Sequence, residues 1–136
     1  TIVTVVYNDK NNIEKTINSV LNQSYNSKEY IVVDGKSTDG TLEIVKKYAD
    51  QISVIVSEPD RGIYDAMNKA VDLAHNEWII FMNSGDVFAD NDTLKNVFNE
   101  PISKNISFIK KKQNFMRSRQ MNMRMRLQNF KRMKKR

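Results

Sequence analysis

The sequence predicts an α/β domain: a parallel sheet covered by helices on both faces, followed by a basic tail. Three observations carry this. Four short apolar runs, Ile2 to Tyr7, Tyr30 to Val33, Ile52 to Val56 and Trp78 to Met82, have the length and the β-branched and aromatic content of buried strands. Stretches with apolar residues at helical spacing separate them. The body alternates strand and helix three times and then gives a fourth strand, a pattern that argues for a parallel sheet covered on both faces, with each crossover right-handed.

The chain has 136 residues, enough for one domain with a real core. With no Cys and a single His75, it has no disulfide framework, zinc–thiolate site, thiol chemistry or multi-histidine metal site. No run reaches the ~18 apolar residues of a membrane span. The chain opens directly on a strand-like run, without an initiator Met or a signal peptide, as a fragment of a cytoplasmic protein would. The net charge of +6 conceals a split. Residues 1–109 hold 10 Lys and Arg against 16 Asp and Glu, a net of −6, whereas 110–136 hold 12 basic residues and no acid. An acidic body over 1–100 is therefore expected to precede a basic, Met-rich tail over 101–136.

The first strand ends at Asn8-Asp9. Asn11 then has the place of an N-cap, with Glu14 three residues on as its reciprocal partner, and Ile13, Ile17, Val20 and Leu21 follow at helical spacing. The helix fades at Asn22-Gln23-Ser24, and the second strand ends at Asp34. Gly35 to Gly40 is a polar loop in which Thr38 or Asp39 caps a helix whose face is Leu42, Val45 and Ala49. After the third strand, Ser57 to Gly62 is a turn. Ile63, Ala66, Met67, Ala70, Val71 and Ala74 then form the clearest helical stripe in the chain. The fourth strand stops at Asn83-Ser84-Gly85-Asp86, and Thr93 to Phe98 reads as one more short helix.

In an open sheet of this kind, ligands bind beyond the carboxyl ends of the strands. Four such ends meet on one edge here: Tyr7-Asn8-Asp9, Asp34-Gly35, Ser57-Glu58 and Asn83 to Asp86. Two readings stand for the acids. Asp and Asn turn well, and Asp86 could simply cap the next segment. Alternatively, gathered carboxylates repel unless something positive joins them, and a divalent cation that in turn holds a phosphate does so.

Five stretches then carry a resemblance: Thr4-Val5-Val6-Tyr7-Asn8, Ser19 to Tyr25, Val32 to Thr41 (with Val33-Asp34-Gly35), Ser57 to Ala70 (with Glu58-Pro59-Asp60-Arg61-Gly62) and Phe81-Met82-Asn83-Ser84-Gly85-Asp86. In this order and at these separations, over roughly residues 1–100, they resemble the bacterial family 2 glycosyltransferases. The resemblance implies the Rossmann-like GT-A fold and an enzyme of bacterial surface polysaccharide synthesis. Such an enzyme transfers a sugar with inversion from a nucleotide-sugar, usually a UDP-sugar, to a saccharide or lipid-linked acceptor. It implies that Tyr7 and Asn8 line the nucleoside pocket and that Asp34 contacts base or ribose. Asp65 and Ser84 complete the substrate-binding set, and Asp86 ligates Mg²⁺ or Mn²⁺ on the diphosphate.

The chain departs from the family at four points. Many members carry Asp-Asp where this chain has Asp34-Gly35, and an Arg where it has Met67. Only the Ser84 hydroxyl stands in the other position of the metal motif. The family's second half, with its acceptor wall and catalytic base, is missing: from Pro101 to Arg136 there is no Asp, Glu or His. Phe108-Ile109-Lys110 is similar to a later family segment, as if an intervening stretch were lost. The catalytic residue is thus unassigned, with Asp65, Asp90 and Asp92 the candidates in the body, and a catalytically incomplete nucleotide-sugar-binding module is the alternative. A dinucleotide-binding domain is disfavoured, because Tyr7 to Asn12 contains no glycine. In the tail, Met116, Met123, Leu127 and Phe130 form a thin helical stripe, while Met121, Met123 and Met125 alternate with polar residues. The tail reads as a ligand for an anionic membrane surface at the inner face, or as an unstructured charged run. Nucleic acid is disfavoured by the scarcity of aromatics.

Overall fold

Every residue of β1 (Ile2–Val6) is buried, because helices cover both faces of the sheet in which it is the middle strand. The computed structural model describes residues 1–99 and 109–111. β1 is followed by α1 (Ile13–Leu21), β2 (Tyr30–Asp34), α2 (Thr41–Lys46), β3 (Val54–Ser57), α3 (Ile63–Leu73), β4 (Trp78–Phe81), α4 (Thr93–Asn99) and β5 (Ile109–Lys111). The sheet order is β3-β2-β1-β4-β5. The first four strands are mutually parallel, in the register Val5↔Val33 and Ile2↔Ile80.

Successive side chains of a strand point to opposite faces, and the core divides accordingly. On one face Ile2, Val6, Tyr30, Val32 and Ile80 pack against Ile13, Ile17 and Val20 of α1, Val45 of α2 and Leu94 of α4. On the other, Val3, Val5, Ile31, Val33 and Ile79 meet Ala66, Ala70, Val71 and Ala74 around α3. The alanines let α3 lie close to the sheet. Full burial of each large aliphatic side chain contributes about 1.5–3 kcal/mol, so these two layers are the main apolar stabilisation of the sheet.

Several local expectations are corrected. The capping box of Asn11 and Glu14 does not form: α1 begins at Ile13 with Asn12 in the cap position and no side-chain cap bond. The Asp9 carbonyl takes the Ile13 N–H at 3.1 Å instead, and Asp9 Oδ1 accepts from Asn12 Nδ2 at 2.7 Å. Glu14 is drawn away to accept the Tyr48 hydroxyl at 2.8 Å. β3 starts at Val54 rather than Ile52, whose N–H closes a turn onto the Tyr48 carbonyl. α2 ends before Ala49, which is exposed. Neither expected residue takes the cap position there, which falls to Gly40 with no side-chain cap bond, although Asp39 Oδ1 accepts the Thr41 N–H at 3.0 Å from just outside it. Ile63, the first residue of the α3 stripe, is exposed.

The sheet is also not wholly parallel. β5, which the sequence reading leaves in the tail, pairs antiparallel with β4 as Trp78↔Lys111 and Ile80↔Ile109 and so covers its edge. The helical and alternating Met patterns of the tail lie outside the described residues.

One buried polar pair crosses the core. The Thr4 hydroxyl and the Tyr30 hydroxyl share a hydrogen bond of 2.9 Å. Burial pushes the Tyr30 phenol well above its ordinary range, and the bond to Thr4 offsets this only in part. Tyr30→Phe alone should destabilise by about 1–3 kcal/mol, since it leaves a buried hydroxyl unpartnered, and adding Thr4→Val should restore most of the loss. Urea denaturation of the single and double variants measures this.

Candidate functional site

The carboxyl ends of β1 to β4 form one polar rim, and its parts are cross-linked. At the end of β1, Tyr7 is 65% exposed and Asn8 adopts a φ of 49°. Asparagine tolerates this left-handed region better than most residues. The Asn8 N–H donates to Ser37 Oγ at 2.8 Å, and Asn8 Oδ1 accepts the Thr38 N–H at 2.8 Å. Two further bonds, Asp9 N–H to Thr41 Oγ1 at 2.9 Å and Lys10 N–H to Asp39 Oδ2 at 3.2 Å, zip this loop to the one that follows β2. The Thr41 hydroxyl, outweighing slight desolvation, together with backbone N–H groups, holds the Asp39 carboxyl below its usual range.

Asp34, at the end of β2, is fully buried. Its Oδ2 accepts from the Ser57 hydroxyl at 2.6 Å and from the Ser37 N–H at 3.0 Å. Its Oδ1 is buried with no hydrogen-bond partner. An unpartnered carboxylate oxygen in such a place is costly. The next residue, Gly35, lies under two side chains: a Cβ built on it would stand 2.6 Å from Asp60 Oδ2 and 3.3 Å from Tyr7 Cδ2.

At the end of β4 the Asn83–Asp86 turn closes on itself, with the Asp86 N–H on the Asn83 carbonyl at 2.9 Å and the Asn83 N–H on Asp86 Oδ2 at 3.0 Å. Gly85 has a φ of 97°, which the turn requires and a side chain would resist. Ser84 Oγ donates to Asp9 Oδ2 at 2.7 Å, tying the end of β4 to the end of β1. Thr16 of α1 clamps the turn from below, accepting the Gly85 N–H and donating to the Asp86 carbonyl, each at 2.9 Å. Asn83 Oδ1 is a second buried oxygen without a partner.

Tyr7, Asn8 and Asp34 are thus joined through the loop after β2, and Ser84 and Asp86 share one turn. Asp65 belongs to a separate group on the β3–α3 side. There it accepts the Arg61 N–H at 3.1 Å and pairs with Lys69, which also pairs with Glu58. The Arg61 N–H, against slight desolvation and with help from Lys69, holds the Asp65 carboxyl below its usual range. Asp90 and Asp92 sit at the start of α4: Asp90 Oδ1 takes the Asp92 N–H at 2.9 Å, and Asp92 Oδ1 takes the Ser24 hydroxyl.

Among the described residues, no group of three or more acids and histidines forms a ready metal cage. The donor set at Asp86 nonetheless fits a hard cation. It is an exposed carboxylate with one oxygen engaged, the arrangement in which Mg²⁺ or Mn²⁺ relies on one carboxylate plus substrate phosphates. Sequence reasoning missed the parts played by Thr16 and Ser37, and it placed Ser57 on the rim without its bond to Asp34. The available signal was a hydroxyl residue on the apolar stripe of α1, between Ile13 and Val20. A cleft of about 180 Å³ lined by Tyr25, Trp78, Leu94 and Phe98 lies at the opposite end, where β1 and β4 begin.

Residues 1–100 match the sequence model of the family described as Glycosyl transferase family 2. The chain belongs to this family. A PGL/p-HBAD biosynthesis glycosyltransferase of Mycobacterium tuberculosis is 38% identical over 84 residues, 60% of this chain and 33% of its own. A putative teichuronic acid biosynthesis glycosyltransferase of Bacillus subtilis, TuaG, is 39% identical over 88 residues, 62% of this chain and 35% of its own. Among solved structures, Staphylococcus aureus TarS in complex with UDP-GlcNAc has a TM-score of 0.66 and 29% identity, covering 72% of this chain and 29% of that one. The Pyrobaculum calidifontis mannosyltransferase PcManGT in complex with GDP-Man and Mn²⁺ has a TM-score of 0.65 and 29% identity, covering 71% and 30%. The glycosyltransferase family and the GT-A fold expected from the sequence are borne out. The chain spans about a third of the length of the curated relatives it matches.

Thr16→Val keeps the shape of the side chain and removes both bonds to the Gly85–Asp86 turn. It should cost about 1–2 kcal/mol in chemical denaturation and speed amide exchange at Gly85. Unchanged exchange there would show that the turn holds itself.

Proposed function

We propose that residues 1–100 belong to the donor-binding domain of an inverting glycosyltransferase that takes a UDP-sugar, with β5 added to its sheet and 112–136 as a basic tail. The observation that carries this is Asp34, fully buried at the end of β2 with Oδ1 unpartnered. Within the rim, a base N–H or a ribose hydroxyl of a bound nucleoside would supply the missing donor. Exposed Tyr7 offers the base a ring face, and Asn8 shapes the loop beneath. Ser84 orients Asp9 beside the metal turn, Asp86 would hold the Mg²⁺ or Mn²⁺, and Asp65 would face the sugar side. When bound, the cation neutralises charge developing on the departing diphosphate. The complexes of TarS with UDP-GlcNAc and of PcManGT with GDP-Man and Mn²⁺ support this reading, as does the similarity to TuaG, described as a putative teichuronic acid biosynthesis glycosyltransferase.

Calorimetry tests it. UDP should bind more tightly with Mn²⁺ than with chelator, and Asp86→Ala should erase that difference. Asp34→Asn should weaken UMP and UDP alike by about ten-fold or more, the worth of a charged hydrogen bond, while sparing the metal effect. Equal UDP affinity with chelator and with Mn²⁺ would refute the role of Asp86.

On this reading the 136-residue chain by itself binds donor and is a poor catalyst or none. A general base contributes about 10²–10⁴-fold, and the three candidates in the body are otherwise engaged: Asp65 in an ion pair, Asp90 and Asp92 in the start of α4. With a radiolabelled donor and saccharide or lipid-linked acceptors, slow donor hydrolysis at most is expected. Robust acceptor-dependent transfer would sink this.

The acceptor, and a place at the cytoplasmic face of an anionic membrane, are proposed from the tail. No helix among the described residues is long and apolar enough to cross a membrane. Twelve basic residues and no acid over 110–136 would bind such a surface from outside. Co-sedimentation with anionic vesicles should occur at low salt, fail at high salt, and be lost when 112–136 is deleted.

A further inference from the structure

The tightest contact at the rim is at Gly35. Its φ is not in the left-handed region, unlike those of Gly40, Gly62 and Gly85, so its backbone does not call for glycine. Space does. The Asp60 carboxylate crowds the place of a Cβ, with Oδ2 2.6 Å from where that atom would stand, and the Tyr7 ring lies 3.3 Å from it. Asp60 Oδ1 accepts the Gly62 N–H at 2.9 Å, which fixes the side chain across the end of β2. Among the described residues no protein donor reaches Oδ2. A carboxylate oxygen is therefore held ready between the exposed Tyr7 ring and the residue after buried Asp34.

We propose that Asp60 is a nucleoside-specificity residue, its Oδ2 accepting a hydrogen bond from an N–H or O–H of the donor nucleoside, and that residue 35 lacks a side chain to make room for it. The inference rests on the donor-site reading above. Position 60 can serve there because Oδ1 is already satisfied, which aims Oδ2 without ordering cost at the moment of binding. A site that hydrogen-bonds a ligand group rejects analogues lacking it far more strongly than a merely apolar pocket does.

The experiment titrates the full chain with UMP, 2′-deoxy-UMP, 3′-deoxy-UMP and N3-methyl-UMP by calorimetry. Wild type should bind UMP and disfavour at least one analogue by about ten-fold. Asp60→Asn retains a carbonyl for the Gly62 N–H and replaces the free acceptor with a donor. It should weaken UMP about ten-fold and abolish that one discrimination, and which analogue is affected tells whether ribose or base is read. Gly35→Ala, which displaces the carboxylate, should do the same, and the double variant should be no worse than either. If Asp60→Asn binds UMP as wild type does, or weakens UMP and every analogue equally, Asp60 only shapes the turn and the proposal is wrong. A wild-type chain that binds no UMP at all overturns the donor-site reading itself, and this proposal with it.

Discussion

Everything at the rim depends on β1 being gripped from both sides. β2 and β4 pair with it in parallel, and the backbone bonds continue past the strands: the Gly35 N–H reaches the Val6 carbonyl at 2.9 Å, and the Ser84 N–H reaches the Val5 carbonyl at 3.3 Å. Parallel pairing places the carboxyl ends of strands distant in sequence side by side. Asp34, Asp9 and Asp86 become neighbours of one edge through that constraint alone, and the two apolar layers then keep the edge from splaying.

Among the described residues, the rim holds its aspartates without ion pairs. Asp9, Asp34, Asp39, Asp60 and Asp86 are held by hydroxyls, amides and backbone N–H groups, and among the described residues none has a Lys or Arg partner. The ion pairs of Lys69 are with Glu58 and Asp65 on the α3 side. Neutral donors orient carboxylates but leave their charge in place.

The strands and helices were legible because their apolar runs obey one period each. The alternation of strand and helix named the fold class, and the five motif stretches named the family. What escaped is local competition. Asn11 and Glu14 have the spacing of a capping box, but Asp9, already fixed by Ser84 and Thr41, supplies its carbonyl to the first turn instead. β5 is three residues in a basic context, with no alternation long enough to read, and only the unpaired edge of β4 selects it. The clamp of Thr16 is invisible because a threonine on an apolar stripe looks like core. The departure at Asp34-Gly35 was legible as a missing carboxylate, yet its physical account, the Asp60 side chain in the vacant space, needed coordinates. The placing of Asp34 and Asp86 at strand ends was readable; the orphaned oxygen of Asp34 was not.

The strand order also bears on how the chain acquires its structure. β1 lies in the middle of the sheet, yet its second partner is nearly the whole domain away in sequence, with Ile2 meeting Ile80. During synthesis, β1, β2 and β3 can assemble well before β4 leaves the ribosome. In that interval the inner edge of β1, largely apolar and lined with unpaired backbone groups, stands open. Non-local parallel pairings form slowly, and such edges recruit other chains while they wait. The same long-range pairing that builds the rim thus makes nascent-chain protection, rather than final stability, the step most sensitive to expression temperature and chaperone supply.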